Sequence, residues 1–255
     1  MISALRTLAE TLALYLLLAL LGIICLAWTV VALPLLLLPR RIGVRCGRRG
    51  ILVGFRFYVW MLRAFGAYRL DLRALQELRG APPMVLAPNH PSLIDALFVI
   101  AHDANVVCVM KSSLKNNLFL GAGARLAGYI GNEPTRHMIA DAVEELGRGA
   151  SVLLFPEGTR TVAAPVNEFR GSVAIIARHA QVPVQTLIIE QDCAFLAKGW
   201  SLFRRPRLPV RYRMRLGRRF EPSSDARELT ATLERYFREE LASSPQNRWI
   251  SERHG

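Results

Sequence analysis

The residues of this 255-residue chain whose types and spacing are best suited to chemistry are His90 and Asp95, in the run Pro-Asn-His-Pro-Ser-Leu-Ile-Asp that begins at Pro88. In an unbroken helix a spacing of five leaves two side chains roughly 140° apart at about 3.6 residues per turn, too far round the axis to meet easily. Pro91 changes this: with a fixed φ and no amide proton it suits the opening of a helix, so His90 can sit outside the first turn and swing back over it. Asp95 would then accept from one ring nitrogen, fix the tautomer and stabilise the imidazolium, while the other nitrogen takes a proton from an incoming hydroxyl. The same residues also fit a capping box, with Ser92 as N-cap and Asp95 returning a hydrogen bond to the Ser92 amide.

A second group follows an apolar run at Ser151 to Phe155, where Phe155-Pro156-Glu157-Gly158-Thr159-Arg160 gathers a carboxylate, a glycine, a hydroxyl and a guanidinium in one turn. Gly158 lets backbone approach a ligand, Thr159 can donate, Glu157 can accept from a substrate hydroxyl, and Arg160 suits a phosphate through two parallel hydrogen bonds. A plain Pro-Glu-Gly turn carrying a surface arginine is the alternative.

These residues need a scaffold, and the pattern from residue 82 onward supplies one. Strands are expected at 84–87, 106–110, 151–155 and 184–189, with helices near 93–102, 115–127, 136–147 and 169–180. Val210, Tyr212, Met214 and Leu216 alternate with Arg211, Arg213 and Arg215, the period of a strand with one apolar and one basic face, and 225–242 reads as a polar amphipathic helix. The fold class is therefore α/β, a largely parallel or mixed sheet flanked by helices, spanning residues 81–243, with 244–255 as a loose tail.

Ahead of it, residues 11–39 carry no charge and are dominated by leucine, long enough to cross a hydrocarbon core of roughly 30 Å. Residues 1–40 are therefore expected to form a membrane-anchoring helix, either crossing the bilayer or dipping in and returning near Pro34; a buried helix of a large soluble core is the alternative. Arg40, Arg41, Arg45, Arg48 and Arg49 follow at once, which by the positive-inside bias places the rest of the chain on the cytoplasmic face. Within 41–80, a basic and apolar segment, Ile51 to Leu70 reads as a helix in the membrane interface, or else as a core helix of the globular domain.

Composition agrees. Hydrophobic residues make up 52%, yet Lys and Arg outnumber Asp and Glu 33 to 20, a net charge of +13, which points to an anionic surface or substrate. Aromatic content is 8% and no zinc-finger or RNP-type motif occurs, so phospholipid fits better than nucleic acid. The eight arginines from Arg204 to Arg219 read as a solvated face or as contacts to headgroups or to the phosphates of an acyl carrier. Cys25, Cys46, Cys108 and Cys193 form no Cys-x-x-Cys pair and the histidines show no metal spacing, so neither a metal nor a disulfide framework is expected. Gly121-Ala122-Gly123 lacks the third glycine of a dinucleotide loop and no Gly-x-Ser-x-Gly elbow occurs, so neither a nucleotide cofactor nor an acyl-serine enzyme is expected.

His-x-x-x-x-Asp at 90–95, followed about 60 residues later by Phe-Pro-Glu-Gly-Thr-Arg, resembles the glycerophospholipid acyltransferases, the 1-acylglycerol-3-phosphate acyltransferase family, over roughly residues 82 to 215. The resemblance implies transfer of an acyl chain from an acyl-CoA or acyl carrier protein thioester to a lysolipid hydroxyl. His90 would be the base, Asp95 its orienting partner, and Glu157, Gly158 and Arg160 part of acceptor binding. Phe169-Arg170-Gly171 looks like the Phe-Lys/Arg-x-Gly segment that follows in relatives, which adds Arg170. Two departures bear on the acceptor. Where relatives that use lysophosphatidate carry Gly-x-Ile/Phe-x-x-x-Arg, this chain reads Gly128 to Pro134, with Arg136 displaced; and Val182-Pro183-Val184-Gln185-Thr186-Leu187 lacks the second proline of the last family block. Another lysophospholipid, an ornithine-type lipid or a polyene lipid is thus an alternative acceptor, and a non-catalytic anionic-lipid-binding protein the alternative of another class.

Overall fold

The structure, a computed structural model, describes residues 2–201, 204–242 and 244, with side chains from residue 9 onward. Its elements are α1 (Ile2–Leu35), α2 (Arg40–Ala64), β1 (Tyr68–Asp71), β2 (Val85–Pro88), α3 (Asp95–Ile100), β3 (Val106–Met110), α4 (Gly121–Leu126), β4 (Ile130–Gly131), α5 (Thr135–Gly147), β5 (Ser151–Leu153), α6 (Ser172–Ala180), β6 (Val184–Gln191), β7 (Val210–Phe220) and α7 (Ala226–Ala242). Short 3-10 turns at Arg73–Leu78 and Ser112–Asn116 complete the order.

Seven strands form one mixed sheet in the order β1-β7-β6-β2-β5-β3-β4. All neighbours are parallel except β6 and β7, so β1 and β7 run against the other five. The mixed α/β class expected from the sequence holds. Central strands β2 and β6 are buried along their whole length, and β2 is accordingly an unbroken apolar run, while β6 keeps Leu187, Ile188 and Ile189 at its centre between polar residues that are buried as well. On β7, Val210, Tyr212 and Met214 turn inward while Arg211 and Arg213 face out. That basic face is largely paired: Arg215 bonds Glu240, Arg213 lies 4.0 Å from both Asp71 and Glu190, and Arg218 sits over the Phe220 ring.

Two expectations for the first 80 residues change. Ile51 to Leu70 is not one helix: α2 begins at Arg40, ends at Ala64, and Tyr68–Asp71 pairs with β7 instead. Gly66, at φ +65, makes the break, because a left-handed residue ends a helix. Furthermore, α2 has two unlike faces. Its Ile51, Tyr58, Val59 and Leu62 join the domain core, while Val53, Phe57 and Trp60 stay exposed on the other face.

Helix α1 turns back after Pro34 and runs antiparallel beside α2. Its stretch Ala9–Leu35 is long and apolar enough to cross a membrane by length and composition. A row of glycines on α2 admits its neighbours: a Cβ at Gly50 would overlap Trp28, and one at Gly47 would lie 2.6 Å from the Ala127 nitrogen. Leu14 and Leu17 pack into the main core, and Ala32 into a smaller one with Ala122 and Leu126 of α4. Leu12, Leu16, Ile23, Val30, Val31 and Leu33 on the opposite face of α1 are exposed. The expected loose tail lies outside the described residues apart from Ser244, which is buried and donates to Glu190 at 2.7 Å.

Candidate active site

Both sequence groups leave the sheet at the same edge. Parallel neighbours β2 and β5 are in register at Val85 with Val152 and Leu86 with Leu153, so Pro88–His90 and Phe155–Glu157 emerge side by side from their C-terminal ends. In an open α/β sheet, that crevice is where ligands bind. Asn89 fixes the exit of β2: fully buried, it donates to the Ile189 carbonyl at 2.9 Å and accepts from the Ile189 amide at 2.7 Å, extending the pairing to β6 with a side chain.

At the turn, His90 Nδ1 meets Asp95 Oδ2 at 2.9 Å. The same oxygen accepts the Ser92 amide at 2.8 Å, so the orienting role and the carboxylate half of the capping box coincide. Ser92 is not the N-cap, however. Its hydroxyl donates to the Phe195 carbonyl at 3.1 Å, and α3 starts only at Asp95. The second Asp95 oxygen accepts the Tyr212 hydroxyl at 3.0 Å. Burial pushes the Asp95 carboxyl above the usual carboxylate range, and the donors from His90, Ser92 and Tyr212 oppose that push. With Nδ1 donating to Asp95, Nε2 carries the lone pair. The imidazole stacks on Phe155 with ring centres 3.8 Å apart and keeps 16% of its side-chain surface exposed.

Glu157 is 3% exposed, and both its oxygens are engaged inside the protein. Oε1 accepts the His90 amide at 2.8 Å and the Thr161 hydroxyl at 2.7 Å; Oε2 accepts the Asn167 amide at 2.8 Å. Burial pushes its carboxyl up, against these donors. It therefore brackets the two motifs together, an arrangement different from the open acceptor expected of a substrate ligand. The Thr161 amide adds a bond to the His90 carbonyl at 2.7 Å.

Gly158 stands at φ +66, and a Cβ there would lie 2.6 Å from Arg170 Nε, so the guanidinium of Arg170 rests directly on the glycine. Arg170 is exposed over the turn, and its amide bonds the Pro156 carbonyl at 2.8 Å. Thr159 is half-buried on the same turn. One nitrogen of Arg160 donates to the Leu196 and Ala197 carbonyls at 2.9 and 3.1 Å, tying down the loop after β6; partial burial lowers its basicity, and the Asp95 charge counters that. Leu196, at φ +59, also accepts the Leu93 amide at 3.0 Å, so this loop grips the His90 turn from outside.

The structure thus gathers His90, Asp95, Glu157, Gly158, Thr159, Arg160 and Arg170 at one end of the sheet. Sequence reasoning missed Tyr212, Asn89, Thr161 and Asn167. Only Tyr212 left a trace, as the one hydroxyl in the inward row of β7.

Comparison with known proteins agrees with this geometry. Residues 69–190 match the family model described as Acyltransferase. The chain is 25% identical over 154 residues to a 1-acyl-sn-glycerol-3-phosphate acyltransferase of Pseudomonas aeruginosa, covering 58% of this chain and 60% of that protein. It is 38% identical over 95 residues to a lyso-ornithine lipid O-acyltransferase of Rhizobium meliloti, covering 35% and 32%. The aligned region therefore spans less than two thirds of either relative. The crystal structure of the 1-acyl-sn-glycerophosphate acyltransferase PlsC from Thermotoga maritima has the same fold, with a TM-score of 0.66 over 94% of this chain and 98% of that one at 19% identity. The segment that holds the His90 and Glu157 turns is thus the part of the chain that matches the Acyltransferase family model and resembles these lysolipid acyltransferases.

Proposed function

We propose that the protein transfers a fatty acyl chain from an acyl-CoA or acyl carrier protein thioester to the free hydroxyl of a lysolipid, with 1-acylglycerol-3-phosphate as the first acceptor to test. The observation that carries this reading is the His90 imidazole, bonded through Nδ1 to a fully buried Asp95 and partly exposed where β2 ends. In the reaction, Nε2 removes the hydroxyl proton and the acceptor oxygen adds to the thioester carbonyl. The tetrahedral intermediate then expels sulfur, and the imidazolium returns the proton to the thiolate, leaving an ester and a free thiol. No acyl-enzyme is required. Arg170 and Arg160, beside the Gly158 turn, are the cations proposed to hold an acceptor phosphate.

Two observations favour an ornithine-type lysolipid as second acceptor. The relative with 38% identity carries that activity in its name, and Pro134 stands where a phosphate-holding arginine is expected.

We further propose that the protein sits in one leaflet of a membrane, with its catalytic domain cytoplasmic. Support comes from both ends of α1. Glu10 pairs with Arg205 at 2.7 Å, Thr29 donates to the Phe119 carbonyl at 2.9 Å, and Ala32 packs on α4. From Glu10 to Leu35 the helix extends about 38 Å, at about 1.5 Å per residue. A crossing helix held at both ends would drag the α/β domain through the bilayer.

The test is thiol release by detergent-solubilised protein given long-chain acyl-CoA or acyl carrier protein and a panel of lysolipids. His90→Ala should lose at least about 100-fold in turnover, the lower end of what general base catalysis contributes. Equal thiol release by the two proteins would remove His90 as the base, and binding of lipid without any thioester consumption would overturn the reading in favour of a lipid-binding protein.

A further inference from the structure

We infer that Tyr212 is a positioning residue for the His90–Asp95 pair, holding the Asp95 carboxylate in the orientation that the imidazole requires. The inference rests on the acyl-transfer reading only for its role in turnover.

Asp95 has no access to water, at 0% exposure, and Tyr212 is 1% exposed. Each carboxylate oxygen therefore takes what the protein offers. Oδ2 has His90 and Ser92, whereas Oδ1 accepts the Tyr212 hydroxyl at 3.0 Å. With donors on Oδ2 alone the carboxylate can still twist about its Cβ–Cγ bond within the tolerance of those two hydrogen bonds; a donor on each oxygen narrows that range and fixes the plane in which His90 must lie. Burial and the Asp95 charge push the Tyr212 phenol well above its usual range, so it remains a donor throughout the working pH range.

The ring itself is placed by other contacts. Tyr212 sits on β7 opposite Gln191 and beside Leu70 of β1, and its ring centre lies 4.6 Å from that of Phe98, on the very helix that Asp95 begins. A phenylalanine would fill the same space, so the hydroxyl is not there for packing. Tyr68 provides the internal contrast. It packs on the same Phe98, 6.0 Å away, is nearly as buried, and its hydroxyl has no hydrogen-bond partner among the described residues. Of the two phenols in this aromatic wall, only the one aimed at Asp95 is used.

Removing the hydroxyl leaves Oδ1 without that donor and makes the carboxylate more avid for a proton. The pair then takes up its first proton at a higher pH, whether that proton resides on the ring or on the carboxyl. Other ionisable groups face the pair and stay unchanged: Glu157 and Arg160 from the second turn, and Tyr68 from β1, with Tyr58, Asp192 and Cys193 acting on Tyr68.

The experiment is a pH titration of the histidine ring signals by NMR in the full-length protein, isotope-labelled at histidine, with His90→Ala assigning the resonance. Tyr212→Phe should raise the midpoint of the pair by about half to one pH unit, the size of one hydrogen bond expressed as a pKa shift. Tyr68→Phe should leave it in place. In the acyl-transfer assay, Tyr212→Phe should lower kcat roughly 10-fold, the size of one hydrogen bond to a charged group expressed as a rate, and move the acid limb of kcat upward with KM unchanged. An unmoved titration in Tyr212→Phe, or an equal shift in Tyr68→Phe, would overturn the inference. A wild-type protein that consumes no thioester would remove the function while the titration still decides the role of Tyr212.

Discussion

Replacing Glu157 with glutamine asks whether this carboxylate binds substrate or binds the protein to itself. The carboxylate receives three donors: the His90 amide and Thr161 hydroxyl on Oε1, and the Asn167 amide on Oε2. Glutamine keeps one oxygen. Its least costly placement puts that oxygen at Oε1 and turns the NH₂ toward the Asn167 amide, so one hydrogen bond is lost and two donors face each other in a buried site. A hydrogen bond to a charged acceptor contributes about 1.5–3 kcal/mol and a stranded buried donor costs about 1–3. Relief from burying a charge offsets part of this, leaving a net loss of about 2 kcal/mol. For a chain of this size that is a fall in Tm of about 4–8 °C, readable by thermal denaturation in detergent. Because the His90 amide keeps its acceptor, kcat at low temperature should stay within about threefold of wild type, with KM for the lysolipid unchanged. Glu157→Ala, which strands all three donors, should lose both stability and kcat. A Glu157→Gln protein of unaltered Tm with a raised lysolipid KM would refute the bracket and return Glu157 to the acceptor.

Arg170→Ala should raise KM for a phosphate-bearing lysolipid about tenfold at constant Tm, because its guanidinium is exposed; Arg160→Ala should raise the same KM and also lower Tm, because its tether to the Leu196 and Ala197 carbonyls is lost. Steady-state kinetics beside a melting curve separates the two. Gly158→Ala should cost about 1–2 kcal/mol, since φ +66 is strained for alanine and the new Cβ displaces Arg170, and its lysolipid KM should rise with that of Arg170→Ala. Normal kinetics in Gly158→Ala would mean that the position of Arg170 does not matter.

What could be read from the sequence was local. His90, Pro91 and Asp95 lie in one turn, so their meeting followed from the fixed φ of proline and the reach of two side chains. The order of strands and helices from residue 82 was legible because buried parallel strands leave solid apolar runs. What stayed hidden was long-range or carried by backbone. Tyr212 reaches Asp95 across 117 residues, from a strand whose antiparallel return the alternation of Arg211 and Arg213 could not orient. Glu157 owes its role to the amides of His90 and Asn167, and amides leave no mark in a sequence. β1, only Tyr68–Asp71, vanished into the apolar, arginine-bearing run before it, and two-residue β4 was too short for any period to show.

The glycine row on α2 has a practical consequence. Because Trp28 of α1 fills the space that Gly50 and Gly123 leave open, the leucine-rich helix covers the rest of the molecule as a lid, whatever its outward face meets. Cutting it away to obtain a detergent-free enzyme would bare a slot shaped for an indole and remove Leu14 and Leu17 from the main core. Such a truncation should precipitate, whereas exchanging only the outward leucines for polar residues should yield a protein that stays in solution with its catalytic turn intact.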